Sequence, residues 1–96
     1  MTTTRKKLII DKYTTLIKDL EQYTEKPILP LLDDDFLVVE LIVYFNYFFL
    51  SCNNEEEYRL VILDIIDSNS INIEPDKFKI VFPMIFEFLI WFKTLL

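Results

Sequence analysis

Three acidic runs and two solitary glutamates are the residues of this chain whose types and spacing could do chemistry. Asp33-Asp34-Asp35, Glu55-Glu56-Glu57 and Asp67 with Asn69 each gather metal-ligating side chains within a few positions. Adjacent carboxylates on a helix point about 100° apart, so three in a row do not converge on one ion. Asp67 and Asn69 begin like a calcium loop. Ile71 then stands at the fifth place, Asn72 where glycine should turn the chain, and Phe78 where the closing glutamate belongs. Helix capping and the helix dipole account better for the first two runs.

Glu40 and Glu87 are each the only carboxylate within a strongly apolar stretch, with no Lys or Arg three or four residues away. Buried, such a group would have a raised pKa and serve as an acid or base. Each lies on the single polar stripe of its helix, however, and solvation there is the simpler reading. Histidine and glycine are absent from all 96 residues, and Cys52 is the only cysteine. This removes the common general base, the phosphate-cradling glycine loops, any internal disulfide and any cysteine zinc cluster. No catalytic residues, metal site or cofactor are expected, and the chain reads as a non-enzyme. A lone cysteine fits a small buried apolar side chain in a reduced, cytoplasmic protein.

The net charge of −6 is unevenly placed. Residues 33 to 76 carry Arg59 alone against eleven acids, whereas residues 1 to 26 and 77 to 96 are both basic on balance. Nucleic-acid binding needs clustered Lys and Arg, so direct contact with nucleic acid is not expected. A basic partner suits the acidic middle better than an acidic one. Glu55, Glu56, Glu57, Asp64 and Asp67 form its candidate acidic surface. Arg5, Lys6 and Lys7 precede a short apolar run that Asp11 and Lys12 interrupt, so no signal-peptide core develops.

Four elements must position these residues. Leu8/Ile9, Tyr13, Leu16/Ile17, Leu20 and Tyr23 recur at threes and fours, predicting helix 1 from Thr4 to Glu25, with Thr2, Thr3 and Thr4 as capping residues. Pro27 and Pro30 end it and make a connector. Its Pro-x-x-Pro spacing suits packing over the bundle end better than an SH3-type ligand. Phe36 to Leu50, FLVVELIVYFNYFFL, predicts helix 2 from Asp34 to Ser51, capped by one of the three aspartates. Apolar side chains surround most of it, and Asn46 falls in the apolar sector, where it could fix a packing register. Asn54 before three glutamates predicts the cap of helix 3, running to Asp67, with Leu60 and Leu63 widening its apolar line. Residues 71 to 82 alternate like a hairpin, but Pro75 cannot supply the positive φ of a tight turn and suits the first position of a helix. Helix 4 then spans Pro75 to Leu95, with a bend or break near Phe82 caused by Pro83.

The expected fold is a single all-α domain over residues 1 to 96. It is a four-helix, mostly antiparallel bundle with two central, nearly all-apolar helices; the alternative is an α+β chain with a small hairpin at 71 to 82. Fifteen aromatic residues in so short a chain exceed what one core needs. The excess predicts an interface, with Tyr44, Tyr47, Phe48, Phe82, Phe86, Phe88 and Trp91 as candidate residues. The leading functional expectation is an interaction module, adaptor-like or regulatory, that binds a protein partner or a second copy as a homodimer. The alternatives are an acidic inhibitor or immunity-type protein that covers a basic enzyme surface or mimics nucleic acid, and a membrane-associated protein inserting helix 4 beside helix 2.

Overall fold

Each apolar repeat in the sequence becomes a helix. The computed structural model describes residues 3–96, and its elements in chain order are α1 (Thr3–Leu20), α2 (Leu37–Phe48), α3 (Glu55–Ser68) and α4 (Pro75–Lys93). No strand occurs among the described residues. The all-α four-helix bundle stands, and the hairpin at 71 to 82 does not form. α1 packs against α4 and α2, and α3 packs against α4.

α1 buries Ile9, Tyr13, Leu16 and Leu20, the three-and-four line of the sequence. It stops five residues short of Glu25. The ladder tightens there, Gln22 and Tyr23 donating to the carbonyls of Asp19 and Leu20, and the Thr24 hydroxyl also donates to Leu20 at 3.3 Å. Such i→i+3 bonds close a helix by taking up its last carbonyls. Thr3 and Thr4 lie inside α1, and the cap expected at Thr2 lies outside the described residues. The connector packs as its prolines suggest: Ile28 and Leu29 are buried, and the Tyr13 hydroxyl donates to the Pro30 carbonyl.

α2 is shorter than the sequence implies. The Asp33 carboxylate accepts the Asp35 N–H at 3.0 Å, and the Asp33 carbonyl accepts the Phe36 N–H at 3.1 Å, so the three aspartates make a turn. Phe36 then stands at the cap position without any side-chain bond, correcting the expectation of an aspartate cap. Phe49 beyond the far end is fully buried, which is why the apolar pattern outlasts the helix. Asn46 is exposed and fixes no register.

α3 begins as expected. Asn54 Oδ1 accepts the Glu57 N–H at 3.0 Å while the Glu57 carboxylate accepts the Asn53 N–H at 2.7 Å, a reciprocal cap. Its far end is a Schellman motif: Ile71 donates to the Ile66 carbonyl, Ser70 to that of Asp67, and Ser70 has φ of 53°. That turn directs Ile71 into the core. Leu60 and Leu63 do not widen the buried line; both are exposed beside Glu56, Asp64 and Asp67.

α4 starts at Pro75 and runs unbroken through Pro83, so the break expected at Phe82 is absent. Pro83 sits on the exposed face, as does Lys79, whose carbonyl loses its usual i+4 donor there. A chain of rings joins the elements. Phe92 of α4 meets Phe45 of α2 edge-on at 5.8 Å, Phe45 meets Phe49, Phe49 stacks on Tyr58 of α3, and Tyr58 meets Phe86 of α4 at 5.3 Å. Tilted and edge-to-face pairs of this kind add to the burial of the rings themselves. Among the described residues no charged side chain is buried, and Glu40 and Glu87 both face solvent.

Candidate interaction surface

The buried side of α2 consists of Leu37, Val38, Leu41 and Phe45. At about 100° per residue, Val39, Val43 and Tyr47 point the opposite way. They are 64, 63 and 81% exposed, and Phe36 and Leu50, flanking the helix, are 61 and 60% exposed. Apolar side chains thus line both sides of one helix, and this bundle covers only one side. Polar residues beside the outer stripe are Glu40 and Asn46, both exposed.

An open trough of about 360 Å3 borders the stripe, lined by Pro30, Leu32, Val39, Val43, Tyr44 and Phe48, with Glu40 and Tyr47 at its edges. The connector supplies one wall and α2 the other. Tyr47 stands out from the surface but is braced, its ring meeting Phe48 edge-on at 4.7 Å, and Phe48 in turn lies 4.7 Å from Tyr44. Tyr44 is half-buried, and burial pushes its phenol up to about 12. A mostly apolar floor, with Glu40 as its one carboxylate and the Tyr47 ring projecting, suits contact with another apolar surface.

The sequence-derived interface residues separate into two groups. Tyr44, Tyr47 and Phe48 gather at this trough. Phe82 and Phe88 are core residues, 4 and 8% exposed. Phe86 and Trp91 are half-buried on α4, Phe86 stacked on Phe82 and Trp91 between Phe88 and the ammonium of Lys12, 4.6 Å from its ring. Phe36, Val39, Val43 and Leu50 were missed. The signal for them is the three-and-four spacing of apolar residues on the side opposite Leu37, Leu41 and Phe45.

The acidic residues of α3 differ in their local partners. Glu55 and Glu56 approach Arg59 at 3.8 and 3.5 Å, and Arg59 lies over the Phe82 ring. Glu57 is engaged in the α3 cap, leaving Asp64 and Asp67 on the outer side of α3. No group of three or more His, Cys, Asp or Glu among the described residues is arranged to hold a metal ion. A larger trough of about 490 Å3 lies between the connector, α2 and α3, with Tyr44 and Phe48 in its wall and Asp64 as its single carboxylate.

Cys52 is free and buried, and its thiol is pushed up by burial and by the charge of Glu57, against a smaller opposing effect of Lys93. A buried, protonated thiol is a poor nucleophile. The adjoining Tyr58 hydroxyl is buried without a hydrogen-bond partner, and burial, with Cys52 second, raises its pKa. No helix among the described residues is long and apolar enough to cross a membrane. Searches among protein families, curated proteins and solved structures find no match to this chain.

Proposed function

We propose that this protein is a non-enzymatic protein–protein interaction module, an adaptor or regulatory factor of the reducing cytoplasm, that docks through the outer face of α2. The observation that carries the reading is Val39, Val43 and Tyr47, opposite the buried side of α2, together with Phe36 and Leu50 flanking the helix, each of the five at least 60% exposed. Contiguous apolar surface of this kind marks interaction sites, and an exposed tyrosine at its centre is a common energetic anchor. The free buried thiol of Cys52 supports the reducing compartment.

Inhibition of a basic enzyme by the acidic middle has less support, because Glu55, Glu56 and Glu57 already have partners within α3 and its cap. The two readings differ in their response to salt. Docking through α2 survives high ionic strength, whereas a charge-driven complex weakens steeply. The test is to measure binding, to itself or to candidate partners, of the wild type and of Tyr47→Glu at low and high salt. Association that is insensitive to salt and lost in Tyr47→Glu is expected; a wild-type chain that binds nothing at any concentration overturns the reading.

A further inference from the structure

The exposed stripe on α2 has a spacing that is the same in both directions. From Phe36 the steps are three to Val39, four to Val43, four to Tyr47 and three to Leu50. Val43 is the midpoint. A two-fold interface requires a patch complementary to itself, in which residue i meets j and j meets i. Laid antiparallel on another α2, this stripe sets Val43 on Val43, the small Val39 on the large Tyr47, and Phe36 on Leu50. The Tyr47 ring of the second copy then falls on the side of the seam where Pro30, Leu32 and Val39 form the trough.

We infer that the occupant of this face is a second copy of the chain, in an antiparallel two-fold pair centred on Val43. The inference rests on the docking reading above and names its partner. Apolar side chains of this size carry on the order of 150–200 Å2 each, so the five offer roughly 600 Å2 per copy at their exposures of 60 to 81%. Covered completely in both copies, these side chains would bury at most about 1,200 Å2, the lower end of stable specific interfaces.

Repulsion between the two acidic turns disfavours the parallel pair, while the antiparallel pair sets each acidic turn opposite residues 51 to 53 of the other copy, next to its Glu55. A parallel pair would crowd the exposed Asp33, Asp34 and Asp35 of both copies at one end. The antiparallel pair separates the two acidic turns by the length of the stripe, about 21 Å at the helical rise, well beyond the screening length of ~8 Å in physiological salt. The two Glu40 side chains stay on one solvated rim, about 9 Å apart along the axis.

Analytical ultracentrifugation of the full chain from micromolar to several hundred micromolar tests this. A dimer is expected. Val43→Arg places two unpaired charges at the two-fold axis and should weaken it at least about 100-fold, with the far-UV spectrum and melting of the monomer unchanged. Mixing Val39→Cys with Tyr47→Cys chains in a short bismaleimide should give the mixed cross-linked dimer, and Val39→Cys alone should not. A dimer that persists in Val43→Arg, or Val39→Cys cross-linking to itself, overturns the arrangement. A strict monomer overturns the second copy as occupant. In that case a protein bound by the wild type and not by Val43→Arg leaves docking through α2 standing, and a chain that binds neither itself nor any protein removes both.

Discussion

Tyr13, Tyr44 and Tyr58 are the phenols whose protons this fold retains, burial being the leading cause for each. The native state keeps these protons at a pH where the unfolded chain, with phenols near 10, has released them. Their contribution to stability is therefore fully present below about pH 10 and is lost as the pH rises toward the folded value of about 12 for Tyr44. The melting temperature should be level from neutrality to about pH 8, begin to fall as the thiol of Cys52, also pushed up by burial, ionises in the unfolded chain at about 8.5, and fall more steeply above about pH 10. Tyr44→Phe should lessen that fall, and a melt unchanged up to strongly alkaline pH would refute the account. Tyr58 makes a second, opposite prediction. Its hydroxyl is buried and unpartnered, and an orphaned polar group costs on the order of 1–3 kcal/mol. Tyr58→Phe should raise stability in urea unfolding by about 1 kcal/mol. At this scale Glu40 and Glu87 were legible, because each sat on a polar stripe. Asn46 was not, since the apolar residues beside it, Val43 and Leu50, are themselves exposed.

Among the elements, α3 and the start of α4 were the most readable, because their boundaries depend on local chemistry. Asn54 with Glu57, and Pro75, act within one turn of themselves. α1 and α2 were drawn too long because apolar residues continue past their ends: Tyr23 is half-buried after α1, Phe36 and Phe49 cap α2 with its end hydrogen bonds, and Leu50 follows. An apolar side chain and a helical backbone are separate properties, and periodicity reports only the first. Pro83 shows the converse. Read as a break, it is accommodated within one continuous α4, at the expense of the bond its N–H would have made. Pro83→Ala should restore that bond on the exposed face and stabilise the protein by about 1–3 kcal/mol without changing its helix content. Loss of stability in thermal or denaturant unfolding would show that the proline is needed for packing.

For the whole molecule, the four-helix class followed from the count and spacing of apolar segments, whereas the uncovered side of α2 did not. A helix that is apolar nearly all round does not itself specify which side its neighbours take; that depends on α1, α4 and the connector together. Two substitutions two residues apart should expose the asymmetry. Phe45→Ala, which removes a ring between α2 and α4, should cost about 3–5 kcal/mol, and Val43→Ala on the outer side should fall within about 0.5 kcal/mol in the monomer. Equal losses in denaturant unfolding would place both residues in one core and remove the exposed face.

The end of α3 has a bearing on how so small a chain holds its shape. Ser70, at φ of 53°, stands where helices commonly place glycine, and it is the only positive-φ residue among those described. Left-handed geometry costs a residue with a Cβ roughly 1–2 kcal/mol, and the fold accepts this at that one joint. In return, the unfolded form of a chain with no glycine has fewer backbone conformations available at every position. Each site where a glycine would have been ordered is thereby favoured by about 0.5–1 kcal/mol. Part of this protein's resistance to unfolding accordingly comes from disorder it never had, and would be absent from any list of its native contacts.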